Sequence, residues 1–250
     1  ELEIARVFSL LRARVDTPTM DKNVSVSLRF STELDPKQPV PAVRVRPEVP
    51  GVRVRLAYES LNLVGPFECG QHYVATVNAG VLSKDGQTLS EDQKASFEIP
   101  DRSSEIQFPA RHGILTPKGN LVAEVKLVNV AGVRLHASRV HANNLVAHVR
   151  HQESDATSRE LATRSIKLET QHNVPTTVAL DLRALLGTPL GTYHVRADAT
   201  DHPWVYDSAV VTVSDLGITT KRERHGMLAW VTSLLTGNPV EGVEVTALSY

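Results

Sequence analysis

A chain of 250 residues has the length of about two domains, and a hydrophobic content of 41% is enough to fill packed cores, which excludes wholesale disorder. The near-balance of 27 Lys and Arg against 28 Asp and Glu leaves a formal charge of −1, which argues against nucleic acid as the main partner, because phosphate binding needs a net basic surface. No apolar run approaches the ~18 residues of a membrane-spanning helix, and the single Cys excludes an internal disulfide framework.

The chain opens ELEIARVFSLLRARVD, without an initiator Met or the basic, apolar and small-residue sections of a signal peptide. It is therefore expected to be an internal fragment whose targeting signals lie elsewhere. Residues 4–11 fit either strand or helix, and the β character of the rest of the chain favours strand. From there the dominant signal is alternation with period two. Val24, Val26, Leu28 and Phe30 oppose Ser25, Ser27 and Arg29. Val52, Val54 and Leu56 oppose Arg53 and Arg55. Such patterns mark half-buried strands of antiparallel sheets.

Arg44, Arg46, Arg53 and Arg55 flank Pro47-Glu48-Val49-Pro50-Gly51 and are expected to line one face of a hairpin. That stripe either meets an acidic partner or is simply the solvated face of a sheet. Cys69 comes next, in Cys-Gly-Gln-His. Gly70 suits a turn that needs φ > 0, and Tyr73, Ala75 and Val77 alternate with Val74 and Thr76 as a strand does. Cys69 is thus expected at a strand entrance, buried or at an edge. His72 is close in sequence, but no helix N-terminus or basic cluster stands near enough to activate the thiol.

Further along, GTYHVRADA sets Tyr193, Val195 and Ala197 against His194, Arg196 and Asp198. Turn residues punctuate these runs at Asp35-Pro36, Lys84-Asp85-Gly86, Pro117-Lys118-Gly119 and Thr236-Gly237-Asn238-Pro239. Strand-like runs recur every ~8–12 residues, as in β-sandwiches. Helical periodicity is confined to Leu180–Gly187, one or two turns ending at the glycine. The expected fold class is all-β: tandem antiparallel β-sandwiches over residues 1–102 and 103–214, with a third, incomplete one over 215–250. Leu228, Trp230, Val243 and Val245 of that third piece would lack a covering sheet.

Candidate chemistry is sparse. His136, His141, His148 and His151 form the densest histidine set, but no Cys or carboxylate falls at a spacing that completes a tetrahedral metal site. Read as strand, His148 and His151 point to opposite sides, and exposed polar faces are expected for all four. Asp198, Asp201 and Asp207 offer hard oxygens for calcium, yet their loop lacks the Asp/Asn alternation and Gly of a calcium motif, so a solvated loop is expected. Gly-rich phosphate loops and a Gly-x-Ser-x-Gly elbow are missing from the sequence. No catalytic, cofactor-binding or metal-binding residue is assigned, no cofactor is expected, and the chain is read as not an enzyme.

One set of motifs is more specific. Gly113 with Leu115, Asn129-Val130, Arg139-Val140, Asn143-Asn144-Leu145, Leu180-Asp181-Leu182 and Gly191 to Tyr193 succeed one another in order. Asp215-Leu216-Gly217 and the run from Thr236 to Val243 (Thr-Gly-x-Pro-Val-x-Gly-Val) complete the series. Together they resemble a macroglobulin-like domain of the bacterial alpha-2-macroglobulins and its junction with the next. Before them, the Phe30-Ser31 strand end, Gly70 to Tyr73 and Lys84-Asp85-Gly86 resemble a bacterial immunoglobulin-like domain. Cys69-Gly70-Gln71 is similar to the Cys-Gly-Glu-Gln that closes the family's internal thioester, but Gln71 comes one residue too soon, so no thioester is assigned in this fragment.

The resemblance implies an immunoglobulin-like sandwich followed by macroglobulin-like ones, forming a non-catalytic N-terminal scaffold of a protease trap, or endopeptidase inhibitor. In that family a protease cuts a bait region and is caged as the domains rearrange. It further implies proteases as partners, a periplasmic or secreted protein, a lipid anchor in some members, and association with a cell-wall synthase in some. The competing reading is a tandem immunoglobulin-like adhesin or surface spacer.

Overall fold

The computed structural model describes residues 7–20, 23–151, 158–187 and 190–246. Strands dominate, and the chain divides into two compact units, Glu1–Ser103 and Ser104–Tyr250. The all-β class read from the alternation is the observed one.

In the first unit, β1 (Leu10–Val15), β2 (Val24–Phe30), β4 (Arg53–Leu56) and β5 (Ser60–Gly65) form one sheet in the order β1-β2-β5-β4. The second sheet, in the order β3-β6-β7, holds β3 (Val43–Arg46), β6 (His72–Val77) and β7 (Gln93–Glu98). Alternation decides which side is dry. Val24, Val26, Leu28 and Phe30 are buried with Leu61 and Leu63 of β5, and Tyr73, Ala75, Val77, Ala95 and Phe97 join them from the other sheet. Phe67 stands edge-on to Tyr73 at 5.2 Å and to Phe97 at 5.9 Å, an aromatic knot at one end of this core.

The expected hairpin around Pro-Glu-Val-Pro-Gly is not formed. β3 pairs with β6, from Val43↔Val77 to Arg46↔Val74, and β4 pairs with β5, from Arg53↔Val64 to Leu56↔Leu61. Arg44 and Arg46 therefore belong to one sheet and Arg53 and Arg55 to the other. Pro47 and Pro50 lack the N–H donors that a hairpin ladder needs, and Gly51 turns the chain with φ +79°. The segment crosses between sheets instead of folding back on itself.

The second unit repeats the two-layer plan. One sheet, ordered β13-β10-β8, contains β8 (Glu105–Gln107), β10 (Val122–Val128) and β13 (Thr176–Asp181). The other, ordered β12-β11-β14-β15-β9, contains β9 (His112–Leu115), β11 (Gly132–Val140), β12 (Ser158–Lys167), β14 (Gly191–Ala199) and β15 (Tyr206–Val213). Its last pair departs from the antiparallel expectation: β9 runs parallel to β15, from His112↔Val210 to Leu115↔Val213. Leu127, Val125, Leu135, Tyr193 and Val195 fill the space between the layers.

Among the described residues, two short helices interrupt the strands. Of the helix expected over Leu180–Gly187, only Arg183–Leu186 is helical (α2), since Leu180 and Asp181 end β13; Leu185 and Leu186 are buried against the core before Gly187 ends the turn with φ +62°. The other, α1 (Leu145–His151), departs from the strand expectation; it succeeds a 3-10 turn over Ala142–Asn144. His148 and the backbone of His151 thus lie on a helix and not on a strand, and the His151 side chain lies outside the described residues. A Val-rich stretch reads locally as strand, and the helix is held by what it packs upon.

Beyond these layers, β16 (Leu216–Glu223) and β17 (Gly226–Ser233) form a two-stranded antiparallel ribbon. Ile218, Leu228 and Trp230 on it keep 56%, 62% and 56% of their surface exposed, so its apolar positions are open, as the pattern of Leu228 and Trp230 implied.

Candidate functional site

A groove of ≈ 560 Å³ lies on the outer face of the five-stranded sheet. Every second residue of its strands supplies it: Arg134, His136 and Ser138 from β11, His194, Arg196 and Asp198 from β14, Glu160 from β12. Strand register sets the neighbours, with Arg134 opposite Asp198, His136 opposite Arg196 and Ser138 opposite His194.

These groups are already engaged with one another. The Arg196 guanidinium grips Asp198 through Nε and Nη2, at 2.9 and 2.6 Å to Oδ1, and lies 4.0 Å above the Tyr206 ring. His136 bridges two carboxylates, with Nε2 3.5 Å from Asp198 and Nδ1 3.4 Å from Glu160. Thr163 donates its hydroxyl proton to Glu160 at 2.6 Å and lies 3.0 Å from His136 Nδ1. The Thr163 hydroxyl, and after it His136, hold the Glu160 carboxyl below its ordinary range. A carboxylate made easier to ionise is a weak proton acceptor at neutral pH, so Glu160 is poorly suited to activating a nucleophile. The arrangement is a polar network suited to bracing strands.

The pKa direction gives a test. Because the Glu160 value is lower in the folded state, its contribution is present above the ordinary value of 4.5 and is lost as pH falls through the lower folded value. Thr163→Val is expected to move the Glu160 midpoint up toward 4.5, read by carboxyl NMR titration. An unchanged midpoint would show that Thr163 does not hold it.

His194, expected on the solvated side of its strand, is buried. Helix α1 covers it, and the His148 ring meets the His194 ring edge-on at 5.2 Å. His148, expected on an exposed polar face, is buried by the same contact. The three aspartates considered as oxygen ligands go to three different partners. Asp198 holds Arg196, Asp201 accepts the Ala131 N–H at 3.2 Å, and Asp207 accepts the Phe108 N–H at 2.8 Å while pairing with Arg111. Among the described residues no group of three or more His, Cys, Asp or Glu is placed to hold a metal ion.

Cys69 is half-buried against the first unit's core. Gly70 adopts φ +74° and donates its N–H to the Ile99 carbonyl at 2.7 Å, while the Gln71 carbonyl accepts from the Ile99 N–H at 3.1 Å. The Gln71 side-chain amide donates to the His72 carbonyl. The segment is thus a turn built into the start of β6.

Two of the motif residues, Asn129 and Asp215, shape turns and strand ends. Asn129 takes φ +52° between β10 and β11, and Asn173 takes φ +62°. They clasp each other: Asn129 Nδ2 donates to Asn173 Oδ1 at 3.0 Å, and the Asn173 N–H donates to Asn129 Oδ1 at 2.7 Å. Asn173 had no sequence signal beyond being an asparagine. Asp215 accepts from the Leu235 N–H and the Ser233 hydroxyl, both at 3.0 Å, closing the base of the β16–β17 ribbon. A Cβ on Gly217 would meet Leu234 Cδ2 at 2.6 Å, the tip of an exposed side chain that can turn aside.

The fold has counterparts among solved structures. An Escherichia coli alpha-2-macroglobulin fragment spanning domains MG0-NIE-MG1 aligns with a TM-score of 0.52 at 20% identity, over 95% of this chain and 82% of that one. A Salmonella alpha-2-macroglobulin aligns with a TM-score of 0.62 at 20% identity, over 92% of this chain and 15% of its own length. The fold is that of a segment of the bacterial alpha-2-macroglobulins. In sequence, the chain is 22% identical over 202 residues to an alpha-2-macroglobulin of Xylella fastidiosa. That match takes in 72% of this chain and spans only 12% of the alpha-2-macroglobulin. No family model matches the chain. Among the described residues no helix is long and apolar enough to cross a membrane.

Proposed function

We propose that this chain is a non-catalytic scaffold segment of a bacterial alpha-2-macroglobulin-type protease inhibitor, acting in the periplasm or outside the cell. The observation that carries the proposal is the alignment of two successive units, over more than nine-tenths of the chain, with alpha-2-macroglobulins of two bacteria. The braced networks fit this role, since they hold strands and turns in place. Residues 1–102 would be an immunoglobulin-like sandwich, 103–214 a macroglobulin-like one, and 215–250 the start of another. The open ribbon supports the last assignment, because a two-stranded sheet needs a covering layer for stability. Proteases would be the partners of the whole protein. Nothing in the fold favours a contact with a cell-wall synthase.

The test uses the full-length protein that contains this chain. Incubated with trypsin or elastase, it is expected to be cut, to change hydrodynamic radius, and to retain the protease in a form that cleaves small peptides but spares large substrates. Cleavage without retention would overturn the proposal. A surface spacer predicts that negative result and, in its place, binding to cell-surface material.

A further inference from the structure

The separation of the expected arginine stripe into two sheets leaves a different basic surface on the first unit. On the outer face of β1-β2-β5-β4, Arg12 and Arg14 project from one edge strand and Arg53 and Arg55 from the other. Register places them across the sheet in rows: Arg14 faces Ser27, which neighbours Asn62, which faces Arg55, and Arg53 faces Val64, which neighbours Ser25 beside Asp16. Arg12 faces Arg29, which neighbours Ser60. The four edge arginines are exposed, while Ser25, Ser27, Ser60 and Asn62 between them are half-buried. The face therefore has a rim of guanidinium on each side and a floor of Ser25, Ser27, Ser60 and Asn62, with Val64 opposite Arg53 and Arg29 standing beside Ser60.

Its charge is not cancelled locally. Arg29 pairs with Glu59 at 2.7 Å. Among the described residues Arg12, Arg14, Arg53 and Arg55 make no ion pair, and the other nearby carboxylate, Asp16, stands just past β1 at the end of the trough. In a chain of net charge −1, this concentration of cations on one face is a local segregation.

We propose that this trough binds an extended acidic polypeptide segment. Three strand spacings separate the rims by about 14 Å, and arginines two residues apart on a strand stand about 7 Å apart. An extended chain lying along the floor sends successive side chains to opposite sides at that same period. A run of Glu or Asp would thus present carboxylates alternately to Arg12 and Arg14 and to Arg53 and Arg55, where bidentate pairing is available. The serine and asparagine floor offers donors and acceptors to the peptide backbone. Nucleic acid fits less well, since the overall charge is slightly negative.

The probe is a fluorescein-labelled deca-glutamate peptide titrated with the 250-residue chain and followed by anisotropy. Binding that weakens as salt rises is expected. Arg12→Glu with Arg14→Glu, and separately Arg53→Glu with Arg55→Glu, are each expected to weaken it by about tenfold or more. Arg44→Glu, on the other sheet, is expected to stay within about twofold, since it removes only a remote surface charge. The paired Arg→Gln variants should show the same order with smaller losses. Absence of peptide binding, equal affinity of all variants, or capture by phosphatidylglycerol vesicles that the peptide cannot compete away would each overturn the proposal.

Discussion

Asp207→Ala is expected to lower the stability of the second unit by about 3 kcal/mol, whereas Arg111→Ala, across the same ion pair, should cost under about 1 kcal/mol. The two partners differ in burial: the Asp207 side chain keeps 10% of its surface and that of Arg111 56%. Losing the carboxylate strands the N–H of Phe108, a buried residue that donates to Asp207 Oδ2 at 2.8 Å. Losing the guanidinium leaves Asp207 still bonded to that N–H, with water available on its open side. Urea unfolding, with hydrogen exchange to assign the transition to residues 104–213, separates the cases. Equal costs would mean that the ion pair, and not the buried backbone contact, holds β8 to β15.

The second large effect concerns the cysteine turn. Phe67→Ala is expected to cost the first unit about 4 kcal/mol, as a fully buried aromatic removed from a packed cluster does. Phe67 keeps 2% of its surface and touches both Tyr73 and Phe97 edge-on. Tyr73 is tied to the same turn, because its hydroxyl accepts the Glu68 N–H at 3.1 Å. Cys69→Ala, two residues away and half-buried, should cost under about 1 kcal/mol. Thermal unfolding followed by circular dichroism measures both. A Cys69 variant as damaged as the Phe67 one would make the thiol more than a filler at a strand entrance.

Local periodicity carried much of the fold. The dry side of β2 could be read from Val24, Val26, Leu28 and Phe30 alone, and the short helix before Gly187 from its leucines. What local pattern does not contain is the partner. Val43–Arg46 and Arg53–Leu56 look like two arms of a hairpin; Pro47 and Pro50 weigh against that ladder, but which sheet each arm joins is decided by β6 and β5, distant in sequence from one arm or the other. His194 alternates like a solvent-facing residue, and is buried because a helix far earlier in the chain supplies His148 above it. The parallel placement of β9 is likewise a tertiary choice. The motif asparagines and glycines were legible as a family resemblance, while their cause, left-handed backbone and close approach, needed coordinates.

The clasp between Phe108 and Asp207 joins residues 99 positions apart, and the β9–β15 pairing spans nearly the same stretch. On a ribosome adding about 5–20 residues per second, the early half of that sheet must wait on the order of 5–20 s for its mate. Throughout that interval the nascent Gly113–Leu115 border is open to other extended chains.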